Sequence, residues 1–151
     1  MSAATATRPT GASSGQLATF RLDGDLYGVE VEHVQEVLKS QGLTRVPLAP
    51  AAVAGLINLR GQVVTAIELR ERLGRPPRPE GTDAVVIVVR LHGEAVSLLV
   101  DSIADVVDVD AADFEAPPDT LEGQARDLIR GAFKLDGQLL LALDVNRAVG
   151  T

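Results

Sequence analysis

The sequence predicts an all-β fold with a few short helices, arranged as two small barrels packed in a pseudo-symmetric pair. Three observations carry this. First, the chain repeats itself: Phe20-Arg21-Leu22-Asp23-Gly24, then Val31-Glu32, Val34 and Glu36-Val37, returns as Val89-Arg90-Leu91-His92-Gly93, then Val100-Asp101, Ile103 and Asp105-Val106. A second block follows in the same order, Gly55 with Leu59-Arg60-Gly61-Gln62 and Ala66-Ile67-Glu68 recurring as Gly131 with Leu135-Asp136-Gly137-Gln138 and Ala142-Leu143-Asp144. Second, the repeated segments are short apolar runs meeting at glycine turns, the pattern of small barrels. Third, 46% of the 151 residues are apolar, enough for a core, whereas a half of about 60 residues is marginal alone. The halves are therefore expected to share one interface.

In chain order, residues 1–16 are mostly Ala, Thr, Ser and Gly and are expected to be a disordered tail. Leu17 to Val31 alternates around Asp23-Gly24-Asp25 as a hairpin. Val34, Val37 and Leu38 fall at helical spacing, predicting about two helical turns. Leu43 to Pro47 reads as extended. Gly55 to Ile67 is a hairpin around Arg60-Gly61-Gln62, and Glu68 to Leu73 a short helix ended by Gly74. Arg75 to Thr82, with three prolines, links the copies. Ala84 to Leu91 is a nearly continuous apolar run, predicting a strand buried on both faces at the junction of the lobes. Glu94 to Val100 pairs with it. Ser102 to Val109 is read as a helical turn and a strand, Asp110 to Ala125 as an acidic loop, Leu128 to Leu143 as the last hairpin and Asp144 to Val149 as the last helix. Residues 17–150 thus form a single domain of two lobes, roughly 17–74 and 83–150, with exchange of strands between them left open.

Composition narrows the function. A net charge of −7 with dispersed basic residues argues against a nucleic-acid surface. The cluster from Arg70 to Arg78 reads as a solvated loop, and no aromatic residues interleave with it for base stacking. The absence of cysteine removes disulfides, thiol catalysis and cysteine-ligated metal. No apolar run approaches the ~20 residues of a membrane span, so a cytoplasmic protein without membrane insertion is expected. His33 and His92, and the pairs Asp101/Asp105 and Asp110/Asp113, lack the partners a catalytic or metal site needs and read as solvated or capping residues. No enzyme activity, cofactor or metal is expected, and binding remains.

Residues needed to build a repeated unit recur in both copies, whereas a site used once need not. Asn58-Leu59-Arg60-Gly61 has Lys134-Leu135-Asp136-Gly137 as its counterpart, so Arg60 becomes Asp136. Arg60 presents a planar, permanent charge to a partner, or it pairs with Glu36 and holds the hairpin. The residues leave both readings open.

Phe20-x-Leu22-x-Gly24-x-x-Tyr27-Gly28, Val34-Gln35-Glu36-Val37, Arg45-Val46-Pro47, Gly55-Leu56-Ile57-Asn58-Leu59-Arg60-Gly61, Ile67-x-Leu69-Arg70 and Val100-Asp101-Ser102 resemble the CheW family of chemotaxis coupling proteins over Gln16 to Val149. The resemblance implies two SH3-like five-stranded β-barrels without catalysis. Such an adaptor bridges the cytoplasmic tip of a chemoreceptor to the regulatory domain of the histidine kinase CheA, is monomeric alone and is recruited to membrane-associated receptor arrays. Carried over by position, the receptor-binding residues would be Val34, Glu36, Gly55, Arg60, Val85, Val86 and Ile103, and the kinase-binding residues Leu43, Thr44 and Val46. A nearby alternative is a CheW-like adaptor of a pilus or other motility pathway, or a domain that binds receptor and not kinase. Two positions depart from the family: Thr65 stands where a proline is usual, and Ser97 where a glycine is usual, beside the proposed groove.

Overall fold

The structure is a computed structural model and describes residues 15–39, 43–50, 52–79, 82–121 and 123–149. β1 (Gly15–Leu22) and β2 (Asp25–Glu30) form the first hairpin. A 3-10 turn, Val31–His33, leads into β3 (Val34–Lys39), followed by β4 (Leu43–Thr44), β5 (Val53–Leu59), β6 (Gln62–Glu68) and α1 (Leu69–Arg72). The second copy holds β7 (Val85–Leu91), β8 (Glu94–Val100), β9 (Ser102–Val109), a 3-10 turn Ala111–Asp113, β10 (Phe114–Glu115), α2 (Gly123–Leu128), β11 (Ile129–Leu135), β12 (Gln138–Leu143) and α3 (Val145–Val149).

The two sheets do not divide at the linker. One runs β10-β11-β12-β2-β1-β9 and the other β3-β7-β8-β6-β5-β4. We call these the β1 barrel and the β7 barrel. Each copy gives its first hairpin to the other copy's sheet, where it pairs antiparallel on one side and parallel on the other, β2 with β12 and β8 with β6. Five longer strands make up each barrel, with a sixth of two residues at one edge, β10 or β4.

Side-chain alternation along the strands sorts the apolar residues into three clusters. On β7, Val86 and Val88 point into their own barrel with Ile57, Val64 and Leu99. Ile87 and Val89 point the other way, onto Phe20, Leu22, Tyr27 and Val29 of the opposite sheet. Leu17, Leu26, Phe133 and Leu140 fill the β1 barrel. The Ala84 to Leu91 run is therefore buried on both faces because it serves two cores.

Four expectations change. Val34 to Leu38 is a strand, with Val34, Glu36 and Leu38 half-buried and Gln35, Val37 and Lys39 exposed. Its apolar spacing is helical, but pairing with β7 overrides it (Glu36 opposite Val88, Leu38 opposite Val86). Only Val31–His33 keeps a helical turn. Ser102 to Val109 is likewise strand throughout, and α2 runs from the end of the acidic loop to the first residue of the predicted last hairpin, its buried Ala125 and Leu128 joining the inter-sheet core. β1 begins at Gly15, which pairs with Val109, as Gln16 does with Asp108. These two residues of the predicted tail are strand, and 1–14 lie outside the described residues.

Candidate interaction surfaces

The β5–β6 hairpin turns at Arg60-Gly61, with φ of 51° and 86°. Both values are left-handed, as the tight two-residue turn that matches strand twist requires. Gly61 takes this conformation freely, whereas a residue with a Cβ does so against its preference. Asn58 supports the turn, its Oδ1 accepting from the Gly61 N–H at 3.0 Å. From this tip the Arg60 side chain reaches β3, where Nη1 donates to Glu36 Oε2 at 2.5 Å and Nη2 to Oε1 at 2.6 Å. β3 and β5 are separated by three strands in the sheet order, so this two-pronged pair clasps the barrel shut across its curl. The Arg60 hydrogen bonds, helped by its charge, hold the Glu36 carboxyl below the usual carboxylate range. Glu36 is 17% exposed and Arg60 73%, which leaves the outer edge of the guanidinium in solvent. The second copy has no such clasp: Asp105 and Asp136 stand at these two places, and Lys134 reaches Glu115 instead, at 3.1 Å.

The other predicted site residues have different surroundings. Val34 and Val85 pack half-buried against the inter-sheet core, and Val86 is 1% exposed inside the β7 barrel. A Cβ on Gly55 would lie 2.3 Å from the Thr44 carbonyl oxygen, so this glycine lets β4 close on β5. Ile103 is 42% exposed on β9, an edge of the β1 barrel. At the opposite edge of the β7 barrel, Leu43 is half-buried, Thr44 exposed and Val46 38% exposed. The structure thus joins Glu36 to Arg60, groups Leu43, Thr44 and Val46, and places Ile103 on the other barrel.

Ser97 is wholly buried and corrects an expectation. It shares its face of β8 with Ala95 and Leu99, toward the β7 barrel core, and its hydroxyl has no hydrogen-bond partner. It does not border an exposed groove. Its counterpart is Gly28, where a Cβ would crowd Leu140 at 3.1 Å and Leu17 at 3.3 Å. Val64 and Val86 hold the matching places in the β7 barrel, and their smaller side chains leave room for the serine. Thr65 takes part in the ladder, opposite Leu56 and Val96.

Sequence reasoning placed β7 at the junction between the barrels but missed the ion network there. Asp101, the single residue between β8 and β9, accepts from Arg70 Nε at 2.9 Å, Arg70 Nη2 at 2.6 Å, the Asp23 N–H at 2.8 Å and Arg78 Nε at 3.2 Å. Arg78 also donates to Glu68 at 2.9 Å, and Arg75 bonds Asp25 and the Tyr27 hydroxyl. The arginine cluster is therefore an internal network and not a solvated loop; the Arg70 side chain is 8% exposed and that of Arg78 12%. Burial works to raise the Asp101 pKa, but the Arg70 bonds, the Asp23 N–H and the two arginine charges outweigh it and bring it below the usual value. The signal was in the duplication, since Arg70 has Asn146 as its counterpart.

Asp110 is the expected cap, accepting from the Ala112 N–H at 2.9 Å. His92 sits at a hairpin turn with φ 51°. His33 lies 3.3 Å from Glu30, and with Glu32 they form a partly exposed group with ligand atoms within 4.8 Å of one another. Among the described residues, no helix is long and apolar enough to cross a membrane.

The family model for the CheW-like domain matches residues 16–150. A chemotaxis protein CheW of Treponema pallidum is 30% identical, the match covering 87% of this chain and 80% of that one. One of Bacillus subtilis is 30% identical over 87% and 84%. The crystal structure of the scaffolding protein TtCheW from Thermoanaerobacter tengcongensis superposes with a TM-score of 0.77 at 29% identity, covering 87% of this chain and 90% of that chain.

Proposed function

The chain belongs to the CheW family of chemotaxis adaptors, and from that premise we propose that it works without catalysis, holding a chemoreceptor tip on one surface and a CheA-type kinase regulatory domain on another. The observation that carries this reading is the Arg60–Glu36 clasp: an exposed arginine fixed in a left-handed turn, present in one copy of the repeat and replaced by aspartate in the other. A clasp needed only to close a barrel would be expected in both copies. The pair orients the guanidinium and leaves its remaining N–H groups for a receptor's carbonyls or carboxylate. Val34, Glu36, Gly55, Val85, Val86 and Ile103 belong to this receptor-facing set, the buried members through the shape they give the surface. The kinase-facing set is Leu43, Thr44 and Val46, at the edge strand β4 and the turn after it. The protein acts in the cytoplasm, at receptor arrays.

The test is separation of the two surfaces by mutation. Arg60→Ala lowers affinity for a receptor tip fragment at least about tenfold and changes kinase-domain affinity less than about threefold, and Val46→Asp does the reverse. Both proteins retain the wild-type circular dichroism spectrum. If Arg60→Ala loses both partners together, or melts well below wild type, the clasp is internal scaffolding and the receptor surface must be redrawn.

A further inference from the structure

The duplication also shows what stands behind the Arg60–Glu36 clasp. Where β3 meets β7, Val34 lies opposite Val89 and Glu36 opposite Val88, so β3 advances two residues for one of β7 and bulges at Gln35. The bulge re-aims the side chains. Val34 keeps the side of Val89, toward the inter-sheet core, whereas Glu36 takes the side of Val88, which is also that of Arg90 two residues on. Gln35 is held between the two. Arg90 Nε donates to its Oε1 at 2.9 Å, and the Glu36 carboxyl, held below its usual range first by Arg60, accepts from the Gln35 amide as well. Arg90 is anchored in turn, its Nη1 donating to the Gly93 carbonyl at 2.8 Å.

A continuous chain of hydrogen bonds therefore runs from the tip of the β7–β8 hairpin to the tip of the β5–β6 hairpin, through Gly93, Arg90, Gln35, Glu36 and Arg60. Each link needs the residue type it has. Arginine only donates and an ionised carboxylate only accepts, so the group between Arg90 and Glu36 must do both, as an amide does. The other copy keeps the bulge and lacks the chain. β9 has the matching irregularity between Ile103 and Val106, with Ala104 and Asp105 in the places of Gln35 and Glu36. There Arg21, the counterpart of Arg90, reaches the Gly24 carbonyl at 3.3 Å and turns to Gln138 at 3.2 Å. Gln62 stands in the place of Gln138, yet Arg90 bonds Gln35. The bulge belongs to the fold, and the relay belongs to the copy that carries Arg60.

We propose that Gln35 and Arg90 are positioning residues of the receptor-facing surface: they hold Glu36, and through it Arg60, in one geometry before a receptor binds. This rests on the receptor reading of Arg60 given above and adds how that surface is kept ready. Gln35, Arg90 and Arg60 are exposed, and pairs between exposed groups contribute little to stability. What the relay supplies is order. A guanidinium already fixed in its bound orientation loses little rotamer freedom on binding, an effect equivalent to about fivefold in affinity for one long side chain.

The experiment breaks the relay at two links in the full chain. Arg90→Ala removes the anchor, and Gln35→Glu keeps an acceptor for Arg90 but sets a carboxylate against Glu36. Each is expected to weaken binding of a receptor tip fragment about fivefold, to change kinase-domain affinity less than about threefold and to keep the melting temperature. In an Arg60→Ala background neither should weaken receptor binding further, because both act through Arg60. In the free protein, nitrogen relaxation should show the Arg60 Nε–Hε group ordered in wild type and mobile in both variants. If Arg60→Ala weakens receptor binding and the relay variants do not, the receptor surface stands and the relay is refuted. If none of these variants weakens it, both fall. An Arg90→Ala loss that persists undiminished beside Arg60→Ala would mean direct contact with the receptor and would overturn the positioning role. So would a melting temperature more than about 3 °C lower, or an Arg60 Nε–Hε group as ordered in the variants as in wild type. Where the Arg60→Ala complex is too weak to measure, the relaxation decides.

Discussion

Replacing Asp101 by alanine tests whether the two barrels are locked by their ion network or only by apolar contact. The carboxylate holds two bonds from Arg70, one from Arg78 and one from the Asp23 backbone, and thereby ties α1, the linker and the β1–β2 turn together. Removing it strands two largely buried guanidinium groups. Breaking a buried pair in this way costs about 3–5 kcal/mol. Because the Asp101 side chain is 23% exposed, solvent offsets part of this, and we expect about 3 kcal/mol. With roughly 2 cal/mol/K of unfolding entropy per residue, a domain of this length should melt about 10 °C lower. Acid sensitivity adds a signed check. The folded carboxyl titrates below its unfolded value, so its contribution is present above about pH 4 and is lost as pH falls through the folded pKa. The wild-type advantage over Asp101→Ala should therefore be full at pH 7 and shrink below pH 4. Thermal melts at pH 7 and at low pH measure both. A drop of less than about 3 °C at pH 7, or an advantage that persists in acid, would refute the lock.

Three further outcomes are expected. Ser97→Ala removes a buried hydroxyl that has no partner and should leave stability unchanged or raise it by about 1 kcal/mol in urea denaturation, whereas a loss above about 1 kcal/mol would reveal a hydrogen bond that the geometry lacks. Ile87→Asp places a charge at the centre of the inter-sheet core, where Ile87 is 1% exposed, and should yield insoluble or unfolded protein by circular dichroism; recovery of a folded monomer would contradict the layout of the cores. Gly55→Ala drives a methyl group to 2.3 Å from the Thr44 carbonyl oxygen and should lower stability by about 2 kcal/mol or more and displace β4, with unchanged melting as the contrary result.

Strands bounded by glycine turns were legible because each hairpin carries its own signal, an apolar run on either side of Asp23-Gly24, Arg60-Gly61 or His92-Gly93. Val34 to Leu38 was not, because its apolar spacing suits a helix and only pairing with β7, about 50 residues away, overrides it. α2 was hidden between the acidic loop and the last hairpin because its two buried residues, Ala125 and Leu128, are too few to show a period. For the candidate site, comparison of the copies singled out Arg60, and Glu36 was weighed as its partner. The Arg70–Asp101 network was hidden by composition, since arginines among prolines look solvated until the fold brings an aspartate between them. Ser97 was misplaced because a position along a strand does not say which face lies inward until the register is known.

The reciprocal exchange of hairpins sets an order on synthesis. The β1–β2 hairpin is made before the other described strands, yet its neighbours in the sheet, β9 and β12, are among the later ones to emerge. The β7 barrel needs nothing beyond Val100 and can close while the remainder is still being translated. Until then the first hairpin carries Phe20, Leu22, Tyr27 and Val29 without its own sheet, and the face offered to it is the one that Ile87 and Val89 present on the β7 barrel. The nascent chain thus has a docking place for its earliest segment before that segment's strand partners exist. A released fragment ending shortly after Val100 should already protect the β7 and β8 amides from exchange.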